Sequence, residues 1–228
     1  MKTLLLLHGA IGAQDQLLPL KELLSTHYNV HTLSFSGHGG NAFPEDDFSI
    51  ARFSVDVLNY LNINNIEQCD VFGYSMGGYV AMYLAKQQPG RVGRIVTLAT
   101  KFHWDEPTAQ KECGMLDADK IEAKVPAFAA ALAKRHAPND WKELMNRTKD
   151  MLMAMGKDNS LKVEDYSTIT NPSLIMLGDR DKMITLDETL AVYKALPNAQ
   201  MAMLPDTQHP IEQVDAQHLA YMIQRFVG

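Results

Sequence analysis

The chain is poor in cysteine. Only two of its 228 residues are Cys, Cys69 and Cys113, and they fall in no C-x-x-C or Cys/His spacing. That argues against a structural metal site and a disulfide scaffold, and it fits a reducing, cytoplasmic setting. Long apolar runs are also absent. The stretch opening at Leu4 stops at His8, far short of the roughly 18 residues a membrane span needs, and no small-residue cleavage site follows a full signal core. Basic clusters are lacking. With 21 Lys+Arg against 27 Asp+Glu the net charge is −6, so phosphate backbones and anionic lipid repel the chain, and neither nucleic acid nor a membrane is an expected partner. Gly9-Ala10-Ile11-Gly12 follows an apolar run but lacks the G-x-G-x-x-G pattern, and no acidic residue ends the next strand near Leu33, which disfavours a dinucleotide loop. Neither a metal nor a cofactor is expected.

What is present is ordinary globular material, 46% hydrophobic and 21% charged, enough for one large domain or a core with an insert. Short apolar runs at 4–7, 29–35, 69–72, 94–99, 173–177 and 200–204 alternate with helical spacing at 17–24, 50–61, 77–88, 186–196 and 215–226. That alternation predicts an α/β fold, a mostly parallel sheet with helices on both faces. Between 101 and 165 no strand is evident. Helical spacing is interrupted there by Pro126, Pro138 and Gly156, so the expected organisation is a core of 1–100 and 166–228 with a helical insert at 101–165.

The sharpest motif is Gly73-Tyr74-Ser75-Met76-Gly77. It matches G-x-S-x-G, and a strand precedes it and a helix follows. A serine at such a turn is held in a strained conformation with its hydroxyl exposed, at a helix N-terminus that favours developing negative charge. Serine is a weak nucleophile and needs a base held by a carboxylate. Of eight histidines, His209 lies in the loop after the last predicted strand, at the carboxyl edge where parallel sheets gather their sites. His8 is expected to brace its loop. His27 and His31 are expected to be solvated, His38 to sit in a Gly-rich loop, His103 and His136 in the insert, and His218 on the last helix. The carboxylate should follow another strand, at Gly178-Asp179-Arg180-Asp181. Asp181 is favoured, with Asp179 expected to bond the local turn or pair with Arg180, and Asp206 to tether the histidine loop. Two backbone amides complete the expected oxyanion hole: that of Met76, and that of Ala10, where Gly9 permits a sharp turn.

These stretches, in this order, resemble the α/β-hydrolase family over nearly the whole chain. Leu4–Gly12 is similar to its His-Gly oxyanion loop, Ser36-Gly37-His38-Gly39-Gly40 to its Gly-His-Gly loop, and Gly73–Gly78 to its nucleophile elbow. Gly178 to Asp181 and Thr207 to Pro210 resemble its acid and histidine loops. The resemblance implies Ser75 as nucleophile, Asp181 as acid, His209 as base, Ala10 and Met76 as oxyanion donors, and 101–165 as a cap over the pocket. It also implies about six strands, beginning at what the family counts as its third. The aspartate that often precedes the Gly-His-Gly loop is absent, with Ser34 nearby. Tyr79 stands where members acting on an acidic menaquinone precursor often carry arginine.

Met115, Met145, Met151, Met153 and Met155 in the insert suit either an adaptable apolar pocket or core filling. Trp104 and Trp141 suit either the pocket or the anchoring of the cap. The expected activity is that of a serine esterase or thioesterase acting on a small to medium, largely uncharged acyl substrate through an acyl-enzyme on Ser75. Carbon–carbon bond hydrolysis or lyase chemistry on the same residues, and a non-hydrolytic small-molecule receptor, are the alternatives.

Overall fold

Six apolar stretches form the strands β1 (Thr3–Leu7), β2 (Asn29–Leu33), β3 (Cys69–Tyr74), β4 (Val92–Leu98), β5 (Ser173–Gly178) and β6 (Ala199–Leu204). In the computed structural model, which describes all 228 residues, every adjacent pair is parallel and the order is β2-β1-β3-β4-β5-β6. Parallel strands need crossovers, which helices supply: α1 (Leu18–Leu24), α2 (Ile50–Ile63), α3 (Met76–Gln87) and α8 (Leu186–Ala195), while α9 (Ala216–Val227) follows the last strand. Between β4 and β5 come α4 (Glu106–Met115), α5 (Ala118–Lys124), α6 (Pro126–His136) and α7 (Trp141–Lys157).

Successive side chains of a strand point to opposite faces, and β1 divides accordingly. Leu5 and Leu7 join a core with Phe53 of α2, Val80 of α3 and Val192 of α8, whereas Leu4 and Leu6 join one with Leu20 of α1 and Ile223 of α9. All four leucines are fully buried, which explains why β1 reads as an unbroken apolar run. Helices α2 and α8 start where the sequence supplies a side-chain acceptor. Ser49 Oγ accepts the Arg52 amide, and Thr185 and Glu188 bond each other's backbone amides at the head of α8.

The helices of 101–165 are not a separate body. Leu144, Met151, Leu152 and Met155 of α7 belong to the same core as β1, α2 and α3. Only Ala129, Leu132, Trp141 and Met145 form a small cluster of their own, which places Trp141 and Met145 as structural anchors. No helix is long and apolar enough to cross a membrane. The strand order reverses at β1, whose neighbours are β2 and β3. The loops leaving β1 and β3 at their carboxyl ends therefore diverge and leave a crevice.

Candidate active site

Ser75 sits in that crevice, between the end of β3 and the first residue of α3, with φ 50° and ψ −119°. A positive φ is costly for a residue with a β-carbon, of order about 1–3 kcal/mol, so the surroundings must impose it. Its amide donates to Leu98 O at 2.9 Å, and its carbonyl accepts from Gly78 N at 3.0 Å and Thr100 Oγ1 at 3.1 Å. The glycines of the elbow allow this close fit. A β-carbon on Gly77 would lie 2.5 Å from Leu7 O and 2.7 Å from His8 O, and one on Gly73 would overlap the backbone of Gly78.

His209 and Asp181 come from the loops after β6 and β5. His209 Nδ1 lies 2.8 Å from Asp181 Oδ2, and the Asp181 side chain is fully shielded from water. The other oxygen, Oδ1, accepts the amides of Met183 at 2.8 Å and Ile184 at 3.0 Å. Burial pushes this carboxyl up, but the hydrogen bond and charge of His209 and the two amides outweigh it and hold Asp181 below the usual carboxylate range. A carboxylate so placed fixes the imidazole's orientation and leaves Nε2 as the free ring nitrogen.

Ser75, His209, Ala10 and Met76 all line one cavity of about 110 Å³. The amides of Ala10 and Met76 donate no hydrogen bond within the chain. Met76 is the first residue of α3, where an amide has no intrahelical acceptor. The Ala10 loop turns at Gly9, where a β-carbon would meet the Tyr74 ring at 2.8 Å, and at Ile11, with φ 51°. Twelve of the sixteen lining residues are hydrophobic, among them Trp104, Met115, Met151 and Met155. Met145 and Met153 do not line it: the first is fully buried in the small cluster around Trp141 and the second lies half-buried on α7.

The remaining expectations divide. His8 is fully buried and braces two segments, with Nδ1 2.8 Å from Gly9 O and Nε2 accepting the Phe35 amide at 3.1 Å. Burial lowers its pKa to about 3. Asp179 accepts the Thr207 amide and lies 3.6 Å from Arg180. It is therefore Asp179, and not Asp206, that ties the histidine loop; Asp206 is exposed with φ 48° and makes no side-chain bond. His27 is exposed, but His31 is half-buried with Nδ1 3.0 Å from Tyr60 Oη, so only the first is solvated as expected. The brace for the Gly-His-Gly loop comes from α2, where Asp56 accepts both the amide and the hydroxyl of Ser36.

Two positioning contacts carry no signature in the sequence. Tyr74 Oη donates to His209 O at 2.9 Å, clamping the histidine loop from the elbow itself. His136, at the end of α6, accepts the Gly39 amide at Nδ1 and lies 3.0 Å from Ile11 O through Nε2. It thereby joins the helices of 101–165 to the Ala10 loop. Each pair lies about a hundred residues or more apart in sequence, and only the phenol or imidazole chemistry of Tyr74 and His136 hinted at a polar duty.

Residues 2–147 match the family model of the alpha/beta hydrolase fold. Over 226 residues the chain is 24% identical to a protein of Agrobacterium fabrum provisionally named carbamate hydrolase RutD, covering 92% of this chain and 86% of the relative. Over 225 residues it is 23% identical to the pimeloyl-[acyl-carrier protein] methyl ester esterase of Aeromonas hydrophila, covering 90% and 87%. The enol-lactonase of Burkholderia xenovorans superposes with a TM-score of 0.78 at 20% identity, over 99% of this chain and 91% of that one.

Proposed function

The chain belongs to the alpha/beta hydrolase family, and from that premise we propose that it is a serine hydrolase cleaving a small to medium carboxylic ester or thioester. Residues 101–165 act as its cap. Ser75 Oγ attacks the carbonyl carbon and His209 Nε2 takes the hydroxyl proton. Asp181 holds the imidazole and stabilises its charged form without itself becoming protonated. The amides of Ala10 and Met76 receive the negative charge that develops on the carbonyl oxygen, and each is worth about 2.7–4 kcal/mol in such a site. The tetrahedral intermediate collapses, His209 returns its proton to the leaving alcohol or thiol, and an acyl-enzyme remains. His209 then takes a proton from water as the hydroxide attacks the acyl carbon, and collapse of this second intermediate releases the acid while His209 gives its proton to Ser75 Oγ.

The observation that carries this reading is the 2.8 Å contact of His209 with a water-shielded Asp181, at the wall of the cavity into which the strained turn presents Ser75. That relatives are named for ester, lactone and carbamate cleavage supports acyl chemistry as the common ground. The test is hydrolysis of p-nitrophenyl esters. Ser75→Ala and His209→Ala should each lower kcat by about 10³-fold or more with the circular dichroism spectrum unchanged. Esterase activity retained by either folded variant sinks the proposal.

A further inference from the structure

β4 lies between β3, which leads into Ser75, and β5, which leads into the loop of Asp181. The loop leaving β4 at the same edge therefore emerges between the nucleophile turn and the acid turn, and it reaches both. Ala99 takes a positive φ of 55°, and the next two residues serve one neighbour each. Thr100 Oγ1 donates to Ser75 O at 3.1 Å, and Lys101 Nζ donates to Met183 O at 2.8 Å. Lys101 is itself firmly seated. Its ammonium lies 3.4 Å from Glu112 Oε1 of α4 and 3.7 Å from Glu188 Oε1 of α8, and its side chain is only 11% exposed. The residues after it are fastened too, since Phe102 N and His103 N both donate to Glu188 Oε2.

The bond to Met183 matters because of what that stretch of backbone does. Asp181 accepts the amides of Met183 and Ile184 through Oδ1, which leaves Oδ2 facing His209 Nδ1 at 2.8 Å. The aim of the carboxylate thus follows the backbone of 182–184, as in any aspartate that bonds the amides two residues on. That backbone has few holds of its own. It belongs to no helix or strand, and apart from the two bonds to Asp181 its one hydrogen bond is the one that Met183 O accepts from Lys101. With the hydrolase reading above as premise, we infer that Lys101 is a positioning residue: through Met183 it fixes the turn that aims Asp181, and so sets the imidazole that must meet Ser75. Its ammonium is spent on Met183 O and the two carboxylates, so it acts through the turn rather than on the substrate. A displacement of about 1 Å in such a row can cost on the order of 100-fold in rate.

The test reads the resting protein and its turnover separately. In the resting protein the proton shared by His209 and Asp181 gives a proton NMR line downfield of the amides, identified by its loss in His209→Ala. In Lys101→Met that line should move upfield or vanish, and kcat on p-nitrophenyl acetate should fall about tenfold or more with KM within about threefold. Lys101→Arg, which keeps a charged donor, should retain the line and hold kcat within about threefold. Lys86→Met, which breaks a 2.7 Å ion pair with Asp165 outside the cavity, should match the parent in both. If Lys101→Met does not fold because two buried carboxylates are left without their cation, Lys101→Met combined with Glu112→Gln removes the surplus charge and takes its place. A folded Lys101→Met or charge-balanced variant with the parent's line and kcat overturns the inference, as does an equal loss in Lys86→Met. A line that depends on Lys101 in a protein that cleaves no ester would sink the hydrolase reading and leave the hold of Lys101 on the acid turn standing. Ester hydrolysis with a line and kcat indifferent to Lys101 would do the reverse.

Discussion

Two aspartates two residues apart have opposite duties. The Asp181 carboxylate faces His209 and two amides, while the Asp179 carboxylate faces the Thr207 amide and Arg180. Replacing Asp181 by Asn keeps the shape but puts a hydrogen-bond donor where the imidazole N–H needs an acceptor. Asp181→Asn is expected to lower kcat on p-nitrophenyl acetate by about 10³–10⁴-fold. Asp179→Asn should lower the urea-unfolding free energy by about 1 kcal/mol and leave kcat within a few-fold. If the two variants trade places, the acid has been misassigned. The expectation that a turn residue just after glycine serves its own loop held only for the Arg180 pairing, since the Asp179 carboxylate reaches across to the Thr207 amide of the histidine loop. The role given to Asp206 was not legible, because a loop tether depends on which strand end lies alongside, and β5 rather than the histidine loop supplies it.

At the level of elements, the agreement is close in β1, an unbroken apolar run, and in α2 and α8, where helical spacing follows a side-chain cap. It weakens in 101–165. There the helical character could be read, but not α4 and α5 as such, nor that α7 completes the main core while the Trp141 cluster stands apart, because helical spacing gives a face and not its partner. The elbow permits a sharper statement. The room for a β-carbon differs between glycines: at Gly77 it would strike the Leu7 and His8 carbonyls, and at Gly90 it would meet nothing within 4 Å. Backbone cannot yield as a side chain can, so Gly77→Ala should push α3 off β1. The expected loss is about 1–3 kcal/mol or more, seen as a lowered thermal midpoint, with Gly90→Ala unchanged within about 0.5 kcal/mol. A Gly77→Ala protein as stable as its parent would mean that the packing of α3 on β1 is looser than described.

For the whole molecule, acid is the natural stress. Burial lowers the pKa of His8 to about 3 and also lowers those of His38 and His136. These groups stay neutral in the fold while the unfolded chain takes up their protons near pH 6.5. The unfolded state therefore binds more protons below that pH, and stability is complete above pH 6.5 and falls as the pH drops toward the folded-state values. Each histidine contributes a slope of up to about 1.4 kcal/mol per pH unit. Urea midpoints should fall steadily from pH 7 to pH 5, and midpoints that stay level over that range contradict the burial of these imidazoles as neutral groups.

The corner between α6 and α7 has a mechanical meaning. His136 holds the Gly39 and Ile11 backbones, and Asn139 donates to Gly37 O at 3.1 Å and Asn41 O at 2.6 Å. On the far side α5 buries none of its residues and is tied to Lys142 of α7 through Asp119 and Glu122. Under the cap role proposed above, a roof held at this corner and through α7 in the main core is loosest at α5, and reactant and product are expected to pass on that side.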